Sequence, residues 1–490
     1  MLLTAQLLLH YQRCNRRAFL DVHGDRNYLE PPSDFHLKLL HDRFVHEQAV
    51  LSEEFYHQPD YPQGDWQAAA QATLALMEQG VERIHKGVLL TNMENGNNSR
   101  SPFALLSSPD LLVKKPGKSR FGDWLYVPID IELGKRAKLD YQIVAAFHAH
   151  VLARVQEAMP DTAWLILREK GRYPIKLDIR LPQMHLILEE CCQVLLSQQP
   201  PEVFISRQKC NICRWHSYCY QIAKSEQHLS LLPGVTPSRY IYLKQLNLTT
   251  LESLANANLS LLEPIFGSEV AEQLLRQARS TLQNRVSLVS ARSLNLPTSP
   301  VELYFDIEAE PELDLAYLLG VLVVDRTAKT ETFHYFLAEN PENEASIWHQ
   351  FLELVWTYPE APIFHFCDYE VQTVKRLARL YKTPTHLWQP LLIRFLDIHE
   401  SISSGLTLPV ESYALKTIAR WLGFEWRDPK VNGAQAIYWY DQWLKTGDRN
   451  FLDLTLRYNE DDCRATLHVK NWLSNIVLED LINNELSMTI

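Results

Sequence analysis

The chain has 490 residues, a formal net charge of -11, and 46% hydrophobic and 22% charged residues. The length predicts roughly two to four domains of ordinary globular composition, with no low-complexity segment or internal repeat. The acidic balance argues against a high-affinity duplex binder held by a basic surface, but is compatible with an enzyme that uses carboxylates. No apolar run is long enough to span a bilayer. Met1-Leu2-Leu3 lacks the basic leader and small-residue cleavage site of a signal peptide, and reads as the start of an amphipathic helix capped by Thr4. A cytoplasmic protein is expected.

Residues 1 to about 225 open on helical patterns. Strands are predicted at Leu111-Leu112-Val113, from Trp124 to Ile129 and from Thr162 to Leu167, with a helix from Tyr141 to Glu157, which makes a mixed α/β domain. Two basic patches, Arg13/Arg16/Arg17 and Lys114/Lys115/Lys118/Arg120, are nucleic-acid contacts or solvated surface. Of eight cysteines, Cys210, Cys213 and Cys219 form a tight trio, and Cys14 stands alone at the other end of the region. Thiols grouped in this way bind metal more often than they form disulfides in an intracellular protein. Four thiolates can hold zinc, with His216 a possible substitute ligand, or an iron–sulfur cluster. Cys191, Cys192, Cys367 and Cys463 read as core residues.

Residues about 226 to 298 form a helical linker. Pro233-Gly234-Val235 lies between helical stretches, and Thr249 with Glu252 suggests an N-cap and capping box. Arg292 to Pro300 marks the next boundary.

Residues about 299 to 490 alternate strands and helices and predict a three-layer α/β domain. The strands are Val301 to Glu308, Leu318 to Val324 and Ile363 to Phe366, and a long helix starts near Phe451. On the first strand Asp306 and Glu308 are two apart and share one face. On the last helix Tyr458 and Asp462 are four apart and share one face, while Asp461 turns away. Clustered carboxylates of this kind suit hard divalent ions, and a pair of ions can hold both the attacking and the leaving oxygen of a phosphodiester.

Two family resemblances follow. Tyr11-Gln12-Arg13-Cys14-Asn15-Arg16-Arg17, with the distant cysteine trio, resembles the RecB-like PD-(D/E)XK nucleases with a 4Fe–4S cluster, a group that includes AddB and CRISPR-adaptation exonucleases. The resemblance implies Cys14, Cys210, Cys213 and Cys219 as cluster ligands, and a metal centre at Asp110 and Asp130. In Asp130-Ile131-Glu132 the family's lysine is replaced by Glu132, and Lys135 is the nearest lysine. His46-Glu47 resembles the family's early helix motif, and Gln142 with Phe147 its late glutamine motif. The domain is then either an active metal centre or a degenerate module that grips nucleic acid.

Residues 299 to 490 resemble the RNase H-like, DEDD-type exonucleases, particularly the YprB-like domain found fused to RecB-like modules. This implies two Mg²⁺ or Mn²⁺ ions held by Asp306, Glu308, Glu370 and Asp462, with Asp368 the rival of Glu370 and Asp397 in support. Tyr458 would position or deprotonate the attacking water. The linker resembles a helix-hairpin-helix module. The implied activity is 3′–5′ hydrolysis of DNA or RNA.

Overall fold

The structure is a computed structural model that describes residues 1–52, 55–94, 100–169 and 171–476. The chain forms two compact units. The first takes Met1–Val203 with Arg207–Ile222, and the second takes Phe204–Ser206 with the chain from Ala223 onward.

The first unit is built on a five-stranded sheet ordered Arg83–His85, Leu111–Ser119, Gly122–Glu132, Ala163–Leu167 and Gly171–Ile175. Three of its four pairings are antiparallel. Gly122–Glu132 and Ala163–Leu167 run parallel, and the helix Leu139–Gln156 crosses between them. That helix buries Ile143, Phe147, Val151 and Leu152 in the core. At the amino terminus Thr4 caps a helix as expected, but the residues before it are extended. Leu2–Thr4 is a strand paired in parallel with Arg100–Ser107, because the apolar Leu3 completes the core edge-on. The helix starts after it, at Ala5–Arg13, and its first turn is held by Leu7 N donating to Thr4 Oγ1 at 3.0 Å.

The second unit carries a five-stranded sheet ordered Thr330–Leu337, Leu315–Asp325, Val301–Glu310, Ile363–His365 and Phe395–Asp397. By position in the chain this order is third, second, first, fourth, fifth. The first three strands form an antiparallel meander, and the last two join in parallel. Alternation along Val301–Glu310 sends Leu303, Phe305 and Ile307 into one core and Tyr304 into the other. Asp306 and Glu308 therefore share the face of Tyr304. The 27-residue helix Arg449–Asn475 packs on that face and brings Tyr458, Cys463 and Leu467 into the same cluster.

The helices expected as a linker pack into this second unit around Leu243, Leu254, Leu274 and Ala278. Gln277 Nε2 donates to the Leu408 carbonyl at 2.8 Å, and Ser287–Leu288 pairs with Leu406–Thr407. The capping box sits one residue later than predicted. Thr250 Oγ1 accepts Ser253 N at 3.1 Å and Ser253 Oγ accepts Thr250 N at 3.1 Å, because a serine hydroxyl at the third position closes the box as well as a glutamate does. Among the described residues, no helix is long and apolar enough to cross a membrane.

Candidate metal centres

The strand Val301–Glu310 and the helix Arg449–Asn475 bring Asp306, Glu308 and Asp462 together. One carboxylate oxygen from each lies within 4.8 Å of the others, the one such ligand group among the described residues. Glu308 and Asp462 are buried, and Asp306 is partly exposed. Like charges this close in a dry site disfavour ionisation. Burial, then the charges of neighbouring carboxylates, push Asp306 and Glu308 well above the usual carboxylate range. Burial also raises Asp462, to about 6, although the Trp426 hydrogen bond and the charge of Lys416 work against the rise.

Supporting residues fix the group. Trp426 Nε1 donates to Asp462 Oδ1 at 2.6 Å, and Asn459 Nδ2 donates to Asp306 Oδ2 at 2.7 Å. Asn459 is fully buried and lies against Gly320, which pairs across the sheet with Asp306. A Cβ at Gly320 would stand 1.7 Å from Asn459 Oδ1. Asp461 turns away from Asp462, as helical geometry predicts. It accepts Arg427 Nε at 2.7 Å and Arg427 N at 3.0 Å.

The middle motif resolves into three roles. After the strand Ile363–His365 the chain bends sharply, with Cys367 at φ 76°, and the helix Tyr369–Leu380 begins. Glu370 is 4% exposed, and its Oε2 has no hydrogen-bond partner. His365 Nδ1 lies 3.5 Å from that oxygen. The charge of Glu370 acts on both Asp306 and Glu308, although it stands outside the three-residue group. Asp368 is exposed and receives Gln372 Nε2 at 2.7 Å. Asp397 holds the bend, accepting Cys367 N at 3.0 Å and His399 N at 2.8 Å.

Tyr458 is buried one turn before Asp462. Burial, reinforced by Asp462, Glu308 and Asp306, pushes its phenol far above the ordinary tyrosine value.

In the first unit Asp110, Asp130 and Glu132 line one cavity of about 190 Å³ with Arg43 and His148. Lys135 does not join them; it pairs with Glu169 at 2.8 Å, because its strand has ended at Glu132. The cations at the site are ones that sequence reasoning missed. Lys86 pairs with Asp110, and lies 3.0 Å from Glu47. Arg43 lies 3.4 Å from Asp110 and 3.8 Å from Glu132. Asp110 also accepts Ile131 N at 2.6 Å. Asp130 Oδ2 is buried without a partner, and His148 Nε2 stands 3.4 Å from its Oδ1. Burial raises Glu132 to about 7. Burial would raise Glu47 too, but hydrogen bonds from His85 and Lys86 hold it down to about 2. Gln142 bridges the Ala137 carbonyl and Arg180, and Phe147 is core.

None of the four cysteines is in a disulfide. Cys14 joins the helices Ala5–Arg13 and Asn15–His23. Cys210 and Cys213 are linked by a turn bond of 3.0 Å, and Cys219 sits on the helix His216–Ser225. Burial raises Cys213 to about 11, and both Cys213 and Cys219 feel the charges of Cys14 and Cys210. Trp215, buried among Phe19 and Leu20, donates to Asp21 at 2.8 Å and ties the two ends of the unit. Arg16 is buried and donates to the Pro201 carbonyl, and Arg13 pairs with Asp140. Arg16 is thus spent inside the fold, whereas Arg13 stays partly exposed in its ion pair.

The sheet order and the clustered carboxylates belong to a mixed α/β domain. Residues 303–474 match the family model RNase_H_2, of the RNase H superfamily. The carboxyl-terminal domain is therefore RNase H-like, a class that acts on nucleic acid with divalent metals. No curated protein matches the chain.

Proposed function

We propose that the second unit is a 3′–5′ exonuclease that hydrolyses phosphodiester bonds in DNA or RNA with two Mg²⁺ or Mn²⁺ ions. The observation that carries this reading is the convergence of Asp306, Glu308 and Asp462 within 4.8 Å. The donor set fits the ions. All ligands are hard oxygens, and the mutual repulsion that raises these carboxylates is what a divalent cation relieves. Glu370, with a buried oxygen lacking a partner, is the fourth ligand. Bound ions would polarise the phosphate and supply the nucleophile by lowering the pKa of water.

The chain's own residues do the rest. Asn459 and Trp426 hold Asp306 and Asp462 in place. Tyr458 orients the water whose oxygen bonds to phosphorus as the bond to the 3′ oxygen breaks. In a test with 5′-labelled single-stranded DNA and RNA, Asp306→Asn should lose at least ~100-fold in Mn²⁺-dependent cleavage. Unchanged cleavage would reject the site.

The first unit is, on this reading, a RecB-like PD-(D/E)XK domain that grips nucleic acid. Cys14, Cys210, Cys213 and Cys219 would hold a 4Fe–4S cluster, with zinc the alternative. What supports this reading is the donor chemistry, four cysteines drawn from both ends of the unit. Asp110 and Asp130 remain candidate metal ligands, but Lys86 and Arg43 already neutralise Asp110, which favours the gripping role over hydrolysis.

A further inference from the structure

Lys416 stands among the carboxylates of the second unit without pairing with any of them. It lies in the first turn of the helix Leu415–Trp421. Its Nζ donates to the Val431 carbonyl. It lies 4.6 Å from the centre of the Tyr458 ring and 5.3 Å from that of Trp426. Its positive charge still reaches Asp462 and Glu308, and Asp461 more weakly. Among the described residues, no carboxylate oxygen lies within 4.0 Å of its Nζ.

That standoff is informative. A lysine that merely balanced the acids would contact one directly, because the Coulomb gain rises as the separation falls. Two ring faces and a carbonyl hold this ammonium back instead. Both rings also serve the metal group, since Trp426 donates to Asp462 and Tyr458 lies one turn before it. One of the three ammonium donors is used, which leaves two for a ligand. A ligand that fits between an ammonium and a carboxylate-bound cation carries negative charge and several acceptor oxygens.

We propose that Lys416 is a catalytic residue that contacts a non-bridging oxygen of the scissile phosphate. The proposal rests on the reading of the second unit as a metal-dependent phosphodiesterase. The phosphate gains negative charge on its non-bridging oxygens as water adds. A fixed ammonium in a partly buried site stabilises that state more than the ground state.

The role makes two predictions of opposite sign. The same charge that favours the phosphate repels a divalent cation at Glu308 and Asp462. Lys416→Met, of similar length but neutral, should cleave a single-stranded oligonucleotide ~100-fold or more slowly. It should also bind Mn²⁺ roughly three- to tenfold more tightly in calorimetry of the full chain with MnCl₂ alone. Lys416→Arg keeps the charge and should stay within about tenfold of the parent in cleavage, with Mn²⁺ affinity unchanged. Wild-type cleavage by Lys416→Met overturns the proposal and leaves the carboxylate site standing. Weaker Mn²⁺ binding together with lost cleavage in Lys416→Met assigns a structural role and overturns it as well. A parent chain that binds Mn²⁺ but cleaves nothing rejects the phosphodiesterase reading, and Lys416 falls with it.

Discussion

Gly320→Ala is the perturbation whose consequence follows most directly from the packing. Gly320 lies opposite Asp306 on the neighbouring strand, and a Cβ there would sit 1.7 Å from Asn459 Oδ1. Asn459 must retreat by about 1.7 Å to reach ordinary contact at 3.4 Å. It is fully buried, so it has no open space to rotate into. The retreat breaks its 2.7 Å bond to Asp306. Overpacking costs about 1–3 kcal/mol, and a lost hydrogen bond to a charged group costs about 1.5–3 kcal/mol. Together these lower Tm by roughly 5–20 °C at about 2–4 °C per kcal/mol. Misplacing Asp306 by ~1 Å should also cut metal-dependent cleavage about 100-fold. Thermal unfolding and cleavage of labelled oligonucleotide read the two effects. Gly433→Ala is the control, since nothing lies within 4 Å of a Cβ there, and it should leave both unchanged. Near-parental Tm and cleavage in Gly320→Ala would refute the claim that this glycine makes room for Asn459.

The remaining predictions concern pH, the tryptophan and the cysteines. Asp306, Glu308 and Asp462 are all raised in the folded state. Their contribution to stability is full below the unfolded carboxylate pKa of about 4 and is lost as pH rises through the folded values, with Asp462 at about 6. Metal-free protein should therefore lose Tm between pH 5 and 7.5. Stabilisation by Mn²⁺, which needs the deprotonated acids, should grow over the same range to several degrees at ~100-fold excess over Kd. An Mn²⁺ shift as large at pH 5 as at pH 7.5 would contradict this. Trp426→Phe removes the 2.6 Å donor to Asp462 and should slow cleavage about tenfold, because an oriented ligand becomes mobile; an unchanged rate with intact folding would show that Asp462 needs no such anchor. Anaerobic preparation should give a brown protein, and Cys213→Ser should lose both colour and iron. A colourless, iron-free parent that contains one zinc per chain would decide for zinc.

The carboxylate centre was legible because its signals are short-range. Period-two alternation placed Asp306 and Glu308 on one face, and four-residue spacing placed Tyr458 and Asp462 on another. The separation of Asp461 from Asp462 followed from helix geometry alone. Glu370 over Asp368 was readable only as a preference; the structure buries Glu370 and leaves Asp368 exposed. The supports were not legible. Trp426, Lys416 and Gly320 reach the site from far along the chain, Asn459 sits within the motif itself but its bond to Asp306 needs the tertiary packing, and nothing local distinguishes Gly320 from a glycine in any buried strand. The same limit explains the first unit. Lys135 was the nearest lysine along the chain, whereas Lys86, from another strand end, is the nearest in space. Met1-Leu2-Leu3 read as a helix start because a three-residue strand carries too little pattern to distinguish from one, while Thr4 was legible as the cap.

The most direct test of the metal centre combines calorimetry with cleavage on one preparation. Asp462→Asn keeps the shape of the side chain and the Trp426 partner but removes the charge. The parent chain should bind Mn²⁺ and shorten a 5′-labelled single strand from its 3′ end, while Asp462→Asn should do neither and remain folded. A folded Asp462→Asn chain that still binds Mn²⁺ and still degrades the strand would contradict the account.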